Sequence, residues 1–389
     1  MSENSNRTLL PEGLRDLLPP QAAFEAEAVD RFTACFVANG YERIKPPLIE
    51  FEETLLSGVG GAVANRIFRM IDPVSQRMLG LRADVTTQIA RIASTRLADA
   101  QRPLRLMYSG QVLRVSGREL RPERQFTQVG IELIGAESSA ADAEVIVVLA
   151  DALSEFGVKN LTIDLALPKL VRLVCKDLKL DDSKYVRLRQ ALDHKDVMQV
   201  REVAGPRGEV LIQLVEASGP VEQAQKRLVA IELPDAGRQQ LNLLFDVAAR
   251  VRSADSSLAL TLDVVESRGF EYHSGVTFTI FSNEIEREVG RGGRYNIERG
   301  DNNVEPATGG TLFVDSLLEL SGHVGEQRRL YVPMGTERYE VKKHQTAGWA
   351  VVSGFSESED AAVEAKRLGC THVLLDGVIQ ALKSASVTT

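Results

Sequence analysis

The sequence predicts an α+β protein with an antiparallel sheet core, a helical insertion and a small C-terminal α/β unit. Three observations indicate this class. Strand-like alternation of apolar residues occurs within 78–134 and returns at 260–315. Residues 169–252, between these two regions, are charged and helical in pattern. The end of the chain alternates strand and helix patterns at short spacing, which is typical of a small βαβ arrangement.

Two predicted helices border the first group of strands. The helix over residues 20–39 carries apolar side chains at helical spacing and is followed by Gly40, in the position of a glycine that ends a helix. The helix over residues 139–156 begins with Ser139 and Asp142 in the spacing of a capping box. Each helix therefore has a recognisable boundary.

These patterns predict two domains. The first spans residues 1–325 and contains the helical insertion at about 169–255. The second is a small α/β domain over residues 326–389. Within it, strands are predicted over 348–355 and 371–376, with a helix between them.

Composition argues against several classes of protein. Lys plus Arg number 46 against 54 Asp plus Glu, so the net charge of −8 disfavours a general nucleic-acid or membrane binder. The three cysteines and five histidines lack the spacing of metal ligands, so we expect no metal. The sequence shows neither the apolar stretch of a signal peptide nor an apolar run of membrane-spanning length. We therefore expect a cytoplasmic protein.

Residues 126–135 (FTQVGIELIG) carry the most informative strand pattern. Apolar side chains point to one face, whereas Gln128 and Glu132 point to the other with Gly130 between them. The missing side chain at Gly130 leaves room over a polar face, as in the floor of a ligand pocket. A solvated sheet face produces the same pattern, so the strand alone leaves both interpretations open.

Further polar residues precede this strand. Arg82, Asp84 and Thr86 share one face if the run LRADVT is extended. Arg114 ends the run LMYSGQVLR and stands at the base of a charged loop, residues 116–125. Arginines in that loop could bind anions, but a solvated loop explains them as well.

Two later segments combine glycine with polar or aromatic residues. SRGFEYHSG would bring Arg268, Tyr272 and His273 to one end of a following strand, although a β-turn with an exposed arginine is an equal alternative. GRGGRY (290–295) lacks the pattern of a phosphate-binding loop, and a strand-to-turn transition explains its glycines about as well.

Taken together and in this order, these segments resemble the class II aminoacyl-tRNA synthetase core, specifically that of the histidyl-tRNA synthetases. GYERIKPPLIE is similar to the first motif and LRADVTTQIAR to the segment that binds the amino group of histidine. VLR with RQFTQVGIELIG is similar to the second motif, SRGFEYHSG to the R-G-L-D-Y-Y signature, and GRGGRYN to the A-G-G-R-Y-D signature. The resemblance covers about residues 1–320 and implies a class II synthetase-like fold.

The resemblance implies a histidine pocket. In it, Asp84 and Thr86 would meet the α-ammonium group, and Gln128 the backbone end of the ligand. Glu132 would accept a hydrogen bond from the imidazole, and Arg268 would face the carboxylate. The complete set of candidate histidine-binding residues is Asp84, Thr86, Arg114, Gln128, Glu132, Arg268, Tyr272, His273 and Tyr295. A buried zwitterion needs each of its charges paired, because an unpaired buried charge is costly.

The sequence departs from the synthetases where ATP would be handled. Arg114 stands at the arginine that holds the α-phosphate, but Ser116 replaces an acidic residue of the second motif. Alignment of PATGGTLFVDSL with the third motif puts Ser316 where the γ-phosphate arginine belongs. A serine cannot supply that positive charge, so we expect amino-acid activation to be lost. The tail is also shorter than a synthetase anticodon-binding domain.

A retained pocket, a lost phosphate arginine and a short tail resemble a paralogous family, the regulatory subunits of ATP phosphoribosyltransferase. That resemblance implies a non-catalytic chain with no cofactor and no catalytic residues, whose effector is L-histidine. It implies a self-dimer formed through the first-motif region and a hetero-octamer with the short-form catalytic subunit, four copies of each. Within it, the chain would activate the first step of histidine biosynthesis and mediate feedback inhibition. The alternatives are a divergent histidyl-tRNA synthetase and a free-standing histidine sensor.

Overall fold

One large mixed sheet forms the centre of the first of two units into which the chain divides, Met1–Gly322 and His323–Thr389. The computed structural model describes residues 10–117, 122–267, 272–299, 303–323, 328–357 and 360–382. In chain order, the described strands of the first unit are β1 (Glu42–Arg43), β2 (Ile49–Phe51), β3 (Arg69–Ile71), β4 (Met78–Leu81), β5 (Leu104–Leu113), β6 (Gln125–Ile134), β7 (Leu161–Ala166), β8 (Gly219–Pro220), β9 (Ala259–Leu262), β10 (His273–Ser282), β11 (Ile285–Arg299) and β12 (Asn303–Phe313).

Helices surround this sheet and extend from it. In chain order they are α1 (Gln21–Ala38), α2 (Glu52–Leu55), α3 (Thr86–Ser94), α4 (Ser139–Phe156), α5 (Pro168–Asp177), α6 (Asp182–Asp193), α7 (Val197–Ala204), α8 (Glu209–Glu216), α9 (Val221–Ala230), α10 (Asp235–Ala254) and α11 (Val314–Leu317). Short 3₁₀ helices are Gly58–Arg66, Gly205–Gly208 and Leu318–His323.

The sheet is antiparallel through its middle and parallel near both edges. Its described strand order is β1-β5-β6-β12-β11-β10-β7-β9-β8. All neighbours from β5 to β7 pair antiparallel, whereas β1 with β5 and β7 with β9 are parallel. A second sheet, β2-β4-β3, is antiparallel. The predicted α+β fold with an antiparallel sheet core is confirmed.

The predicted first helix is confirmed as α1, and its end has a specific cause. Gly40 adopts a φ of +80°, a left-handed conformation that glycine reaches without strain. The Gly40 N–H donates to the Val37 carbonyl and the Tyr41 N–H to the Phe36 carbonyl, each at 3.0 Å. These two bonds satisfy carbonyls that a helix end otherwise leaves open.

The second predicted helix is present as α4, but its predicted capping box is wrong. Ser138, not Ser139, caps the helix, because its side chain accepts a hydrogen bond from the Ala141 N–H at 3.2 Å. Asp142 is buried and contacts residues of the sheet instead. It accepts a hydrogen bond from the Thr308 hydroxyl at 2.6 Å and pairs with Arg294 at 2.9 Å. Thr308 lies 166 residues from Asp142 in the sequence, so the spacing of residues near the helix start could not predict this contact.

The predicted helical insertion is present as α5 to α10. It begins after β7 and ends before β9, which are parallel neighbours, and it contributes the short edge strand β8 to the same sheet. The insertion is therefore one long crossover between adjacent parallel strands, which require such a connection.

The predicted strand through LRADVT is wrong beyond Leu81. Here β4 ends, and α3 begins at Thr86. The Arg82 side chain is buried and donates from Nε to the Gln111 carbonyl at 2.7 Å and from Nη1 to the Pro46 carbonyl at 3.2 Å. These bonds bind Arg82 to neighbouring segments, so Arg82, Asp84 and Thr86 do not form one face of a strand.

The glycine-rich segment GRGGRY is neither a phosphate loop nor a strand-to-turn transition. It lies within the 15-residue strand β11. A Cβ on Gly292 would lie 2.1 Å from the Gly309 carbonyl oxygen on β12. The glycine is therefore needed for close approach between two strands.

The second unit contains a small mixed sheet. Its described elements are β13 (Arg329–Val332), α12 (Arg338–Thr346), β14 (Ala350–Ser353), α13 (Ala361–Arg367), β15 (His372–Leu375) and β16 (Val378–Ala381). The predicted strand, helix and strand are confirmed as β14, α13 and β15. The prediction missed β13, which lies between β14 and β15 and pairs parallel with both, and it missed α12 and β16.

The buried Asp142–Arg294 pair should contribute strongly to stability. We expect Asp142→Ala to lower the free energy of unfolding by about 3 kcal/mol, because it leaves the Arg294 guanidinium buried without its charge partner. The measurement is urea unfolding followed by circular dichroism.

Asp246→Ala is the matched control. It removes an aspartate that pairs with Arg250 at 2.9 Å while both side chains are about half exposed. We expect little change in its urea midpoint. Equal losses of stability in the two variants would contradict a special contribution from the buried pair.

Candidate functional site

A row of register partners crosses four strands on one face of the large sheet. Glu132 of β6 pairs with Gly309 of β12, Gly309 with Gly293 of β11, and Gly293 with Thr277 of β10. Direct cross-strand partners point to the same face. Glu132 and Thr277 therefore lie at the two ends of a space whose floor has no side chains. We call the space above Gly309 and Gly293 the glycine trough.

Glu132 reaches over the floor of this trough. A Cβ on Gly309 would lie 1.6 Å from Glu132 Oε2, so glycine is required there. Tyr295 donates its hydroxyl hydrogen to Oε2 at 2.9 Å. Oε1 is buried and has no hydrogen-bond partner among the described residues. Burial raises the pKa of Glu132 to about 8, although the Tyr295 hydrogen bond and the nearby Thr86 hydroxyl oppose the rise.

Tyr108 of β5 forms one wall of the trough. Its hydroxyl lies 3.2 Å from Thr86 Oγ1 and 2.6 Å from Thr311 Oγ1. A Cβ on Gly130 would lie 2.5 Å from the Tyr108 hydroxyl oxygen. The space left by Gly130 is therefore filled by Tyr108, and the alternative of a solvated sheet face is wrong because Gln128 and Glu132 are fully buried.

A group of aromatic rings also borders the trough. Tyr295 of β11 is fully buried, and the ring of Tyr272 packs edge-on against it with centroids 5.8 Å apart. Tyr272 stacks on His273, the first residue of β10, at 4.2 Å. Burial raises the pKa of Tyr295 well above its ordinary value, so this hydroxyl stays protonated and donates to Glu132.

The segment before α3 is held against the same face. Gln128 Oε1 accepts a hydrogen bond from the Val85 N–H at 3.1 Å. Asp84 Oδ1 accepts one from the N–H of Thr86, the first residue of α3, at 3.0 Å. The negative charge of Asp84 also raises the pKa of Glu132, so the two carboxyl groups interact electrostatically.

Two of the nine candidate residues are not joined to the others by the contacts above. Arg114 follows β5, donates from Nε to the Ala83 carbonyl at 3.3 Å, and lies 4.7 Å from the centroid of the Phe126 ring. It therefore contacts the segment before α3. Arg268 lies outside the described residues. The remaining seven candidates are joined by the contacts above: Asp84, Thr86, Gln128, Glu132, Tyr272, His273 and Tyr295.

This site occurs in a chain with clear relatives. Residues 13–317 match the histidyl-tRNA synthetase family. A protein of Paramagnetospirillum magneticum named ATP phosphoribosyltransferase regulatory subunit is 49% identical over 381 residues, which are 98% of this chain and 100% of that protein. The chain belongs to the family of ATP phosphoribosyltransferase regulatory subunits. The resemblance found in its motifs is thereby confirmed.

Solved structures show the same fold. An ATP phosphoribosyltransferase regulatory subunit/histidyl-tRNA synthetase from Bacillus halodurans superimposes with a TM-score of 0.79 at 24% identity, covering 92% of this chain and 96% of that chain. A chain of the ATP phosphoribosyl transferase (HisG:HisZ) complex from Thermotoga maritima gives a TM-score of 0.59 at 17% identity, covering 75% and 97%. The predicted class II synthetase-like fold is confirmed.

In this chain, the residue aligned with the synthetase γ-phosphate arginine is Ser316, which makes a hydrogen bond inside the protein. Ser316 lies in α11 and is fully buried. Its hydroxyl donates to the Glu288 carbonyl at 2.8 Å. A buried hydroxyl group at this position carries no positive charge with which to bind a phosphate.

The analysis of the sequence missed several residues of the site. Tyr108, Thr277, Gly309 and Thr311 line it but belong to no predicted set. The sequence signal that could have identified Tyr108 is its position in a predicted strand, two residues before Gly110. The role of Gly309 depends on its register with β6, which the sequence does not reveal.

The helical insertion is hydrogen bonded to the chain that precedes the site. Arg189 of α6 donates from Nε to Ser267 Oγ at 2.8 Å and from Nη2 to the Ser267 carbonyl at 3.1 Å. Ser267 in turn donates to Asp193 Oδ1 at 2.8 Å. We call these three residues the Ser267 latch. It connects α6 to the chain shortly before β10.

Two further searches concern metals and membranes. Across the described ranges, the structure contains no group of three or more His, Cys, Asp or Glu residues arranged to hold a metal ion. Within the same ranges, every helix is too short or too polar to cross a bilayer.

The buried Glu132 should make stability depend on pH. Its pKa is about 8 in the folded chain against an ordinary 4.5, so the stabilisation by its neutral form is complete below about pH 4.5 and is lost as the pH rises through 8. Glu132→Gln stays neutral. Between pH 5.5 and 8.5, we expect the free energy of unfolding of the wild type to fall relative to this variant by about 3 kcal/mol.

Urea titrations of the ligand-free wild type and Glu132→Gln at these two pH values measure the difference. Glu298→Gln on the exposed part of β11 controls for loss of one carboxylate. A constant difference between wild type and Glu132→Gln across the range would contradict the raised pKa.

Proposed function

We propose that this chain is a non-catalytic regulatory subunit that binds L-histidine in the glycine trough and activates a short-form ATP phosphoribosyltransferase catalytic subunit. The family supports the regulatory part of the proposal. One observation carries the ligand part, namely the buried Glu132 carboxyl group over Gly309, with Oε1 unpartnered among the described residues. A buried acceptor of this kind is stabilised by a ligand that brings a hydrogen-bond donor.

The surroundings of Glu132 favour an imidazole as that ligand. The floor has no side chains, and the aromatic rings of Tyr272 and Tyr295 lie on one side. A flat ring fits such a space, and a ring N–H can donate to the free oxygen of Glu132. An apolar ring of similar size would leave the carboxyl group unsatisfied.

The rim of the trough suits the amino-acid part of the ligand. Asp84 lies beside Thr86, and its charge acts on Glu132 within the same site. We assign Asp84 and Thr86 to the α-ammonium group of L-histidine and Gln128 to the backbone end. Arg268 is the proposed partner of the carboxylate, as the resemblance implies. Pairing each ligand charge offsets the cost of removing it from water.

The chain is proposed to act through its partner rather than by chemistry of its own. Ser316 replaces the arginine on which the synthetases rely for the γ-phosphate, which supports the absence of catalysis. The relative from Thermotoga maritima was solved in a complex whose name pairs two subunits, HisG and HisZ. We propose a hetero-octamer of four regulatory and four catalytic subunits, with self-dimers formed through the first-motif region near residues 40–50.

Feedback then follows from linkage. If L-histidine binds more tightly to the inhibited state of the complex, it shifts the population of complexes toward that state. The same coupling free energy requires the state of the catalytic subunit to change the affinity for L-histidine. Regulatory and catalytic sites therefore need no shared residue.

Substitutions in the trough should separate feedback from activation. In the reconstituted complex with the catalytic subunit, we expect Glu132→Gln or Asp84→Ala to raise the half-inhibitory concentration of L-histidine by about 10- to 100-fold, because each removes a carboxyl group that we assign to the ligand. Activation of the catalytic subunit should remain near the wild-type level. Steady-state assays with ATP and phosphoribosyl pyrophosphate measure both quantities.

Glu298→Gln serves as the matched control, since Glu298 is exposed on the same strand as Tyr295. Full sensitivity of Glu132→Gln to L-histidine would rule out the trough as the effector site. Failure of the wild-type chain to co-purify with the catalytic subunit would instead favour a free-standing histidine sensor.

The rival function is a divergent histidyl-tRNA synthetase, which the family match over residues 13–317 favours. The two functions differ in one reaction. We expect no histidine-dependent exchange of labelled pyrophosphate into ATP, because Ser316 supplies no positive charge to the transferring phosphates. Exchange above a no-histidine control would support the synthetase and contradict a purely regulatory role.

A further inference from the structure

A buried glutamine joins the start of α3 to residues 46–50, which we call the first-motif segment. Gln88 lies in the first turn of α3, two residues after Thr86, and is fully buried. Its Nε2 donates to the Pro47 carbonyl at 2.8 Å and to Glu50 Oε1 at 2.9 Å. Its Oε1 accepts from Arg82 Nη1 at 3.3 Å. Both ends of the amide are therefore engaged, and none of these partners is a candidate ligand residue.

Three successive carbonyl groups of the first-motif segment are bound in this way. The Arg82 side chain donates to the Pro46 carbonyl at 3.2 Å, and the Arg82 N–H donates to the Leu48 carbonyl at 3.1 Å. Gln88 binds the Pro47 carbonyl between them. The proline rings fix two of the φ angles, so the segment has little freedom to adjust on its own. The segment and the start of α3 therefore keep one relative position.

An ion pair extends this contact by about one helical turn. Arg91 follows Gln88 by three residues, so the two side chains share a face of α3. Arg91 Nε donates to Glu50 Oε2 at 3.0 Å, and the Glu50 side chain is only 8% exposed. Glu50 thus accepts hydrogen bonds from both side chains. We call Arg82, Gln88, Arg91 and Glu50 the Gln88 clamp.

The same end of α3 contacts the glycine trough. The Val85 N–H donates to Gln128 Oε1 at 3.1 Å, and Thr86 Oγ1 lies 3.2 Å from the Tyr108 hydroxyl. The backbone hydrogen bonds of an α-helix connect each turn to the next, so a short helix moves as one body. A shift of α3 at Gln88 therefore displaces Thr86 within the site.

We propose that Gln88 is a positioning residue that couples the affinity of the trough for L-histidine to the conformation of the first-motif segment. This inference rests on the proposed function of the trough. Gln88 touches no ligand; it sets the place of Asp84 and Thr86, which we assign to the α-ammonium group. Linkage requires L-histidine to act back on residues 46–50. The proposed self-dimer uses the same segment, so a second copy and L-histidine would bias the same arrangement of the clamp.

Isothermal titration of the full-length protein with L-histidine measures the effect on affinity. Gln88→Met keeps the approximate length of the side chain and removes both hydrogen-bonding groups, and we expect it to weaken binding about 10-fold. Glu50→Gln removes the charge between Gln88 and Arg91 and should weaken binding by a similar factor. The double variant should lose no more than about 20-fold, because both changes act on one set of contacts, whereas independent effects would multiply to about 100-fold.

Hydrogen exchange distinguishes positioning from a general loss of stability. At saturating L-histidine, we expect the wild-type amides of residues 48–51 to exchange about 5-fold more slowly than without ligand. In Gln88→Met at saturating L-histidine, this slowing should disappear, while slowing in β6 remains. Leu211→Ala is the control, because it opens a cavity in the core of the helical insertion. It should retain both the affinity and the slowing.

The outcomes separate this inference from the proposed function. Wild-type protein that binds no L-histidine would overturn the function of the trough, and this inference with it. Wild-type binding together with an unaffected Gln88→Met would overturn the role of Gln88 alone. Multiplied losses in the double variant, or exchange at residues 48–51 that ignores L-histidine in the wild type, would also overturn it. Equal weakening by Leu211→Ala would do the same, since lost stability would then account for the effect of Gln88→Met.

Discussion

One buried carboxyl group sets the requirements for the whole site. Glu132 lies near the end of β6, and its side chain has space only because the facing residue on β12 is glycine. There it is removed from water and held by the Tyr295 hydroxyl, and burial raises its pKa to about 8. Strand order matters for the same reason, because β12 must lie between β6 and β11 for Tyr295 to reach Glu132. The tyrosine walls and the glycine floor thus together enclose the Glu132 carboxyl group.

Local patterns predicted what depends on local geometry. The period of two in residues 126–135 placed Gln128 and Glu132 on one face, because side-chain direction in a strand alternates whatever the strand pairs with. The same argument failed at Arg82, whose bonds to the Gln111 and Pro46 carbonyls turn the chain away from a strand. Asp142 was misassigned for a similar reason, since its partners come from distant strands.

The trough itself could not be predicted, because it arises from register. Gly309 and Gly293 become neighbours only when β11 and β12 pair as they do, and Thr277 joins them only through the pairing of β10. The resemblance to the synthetases supplied candidate residues without this geometry. Ser316, in contrast, was identified by alignment alone, and the structure shows how a serine is accommodated there.

The Ser267 latch ties the chain before β10 to the helical insertion. Ser267 is bound through its hydroxyl and its carbonyl to two residues of α6. Local unfolding of the chain before β10 must therefore break these hydrogen bonds together or carry α6 with it. The chain shortly before β10 is thus tied to a helix that supplies no candidate ligand residue. Sequence changes at Arg189 or Asp193 would loosen that tie without altering any candidate ligand residue.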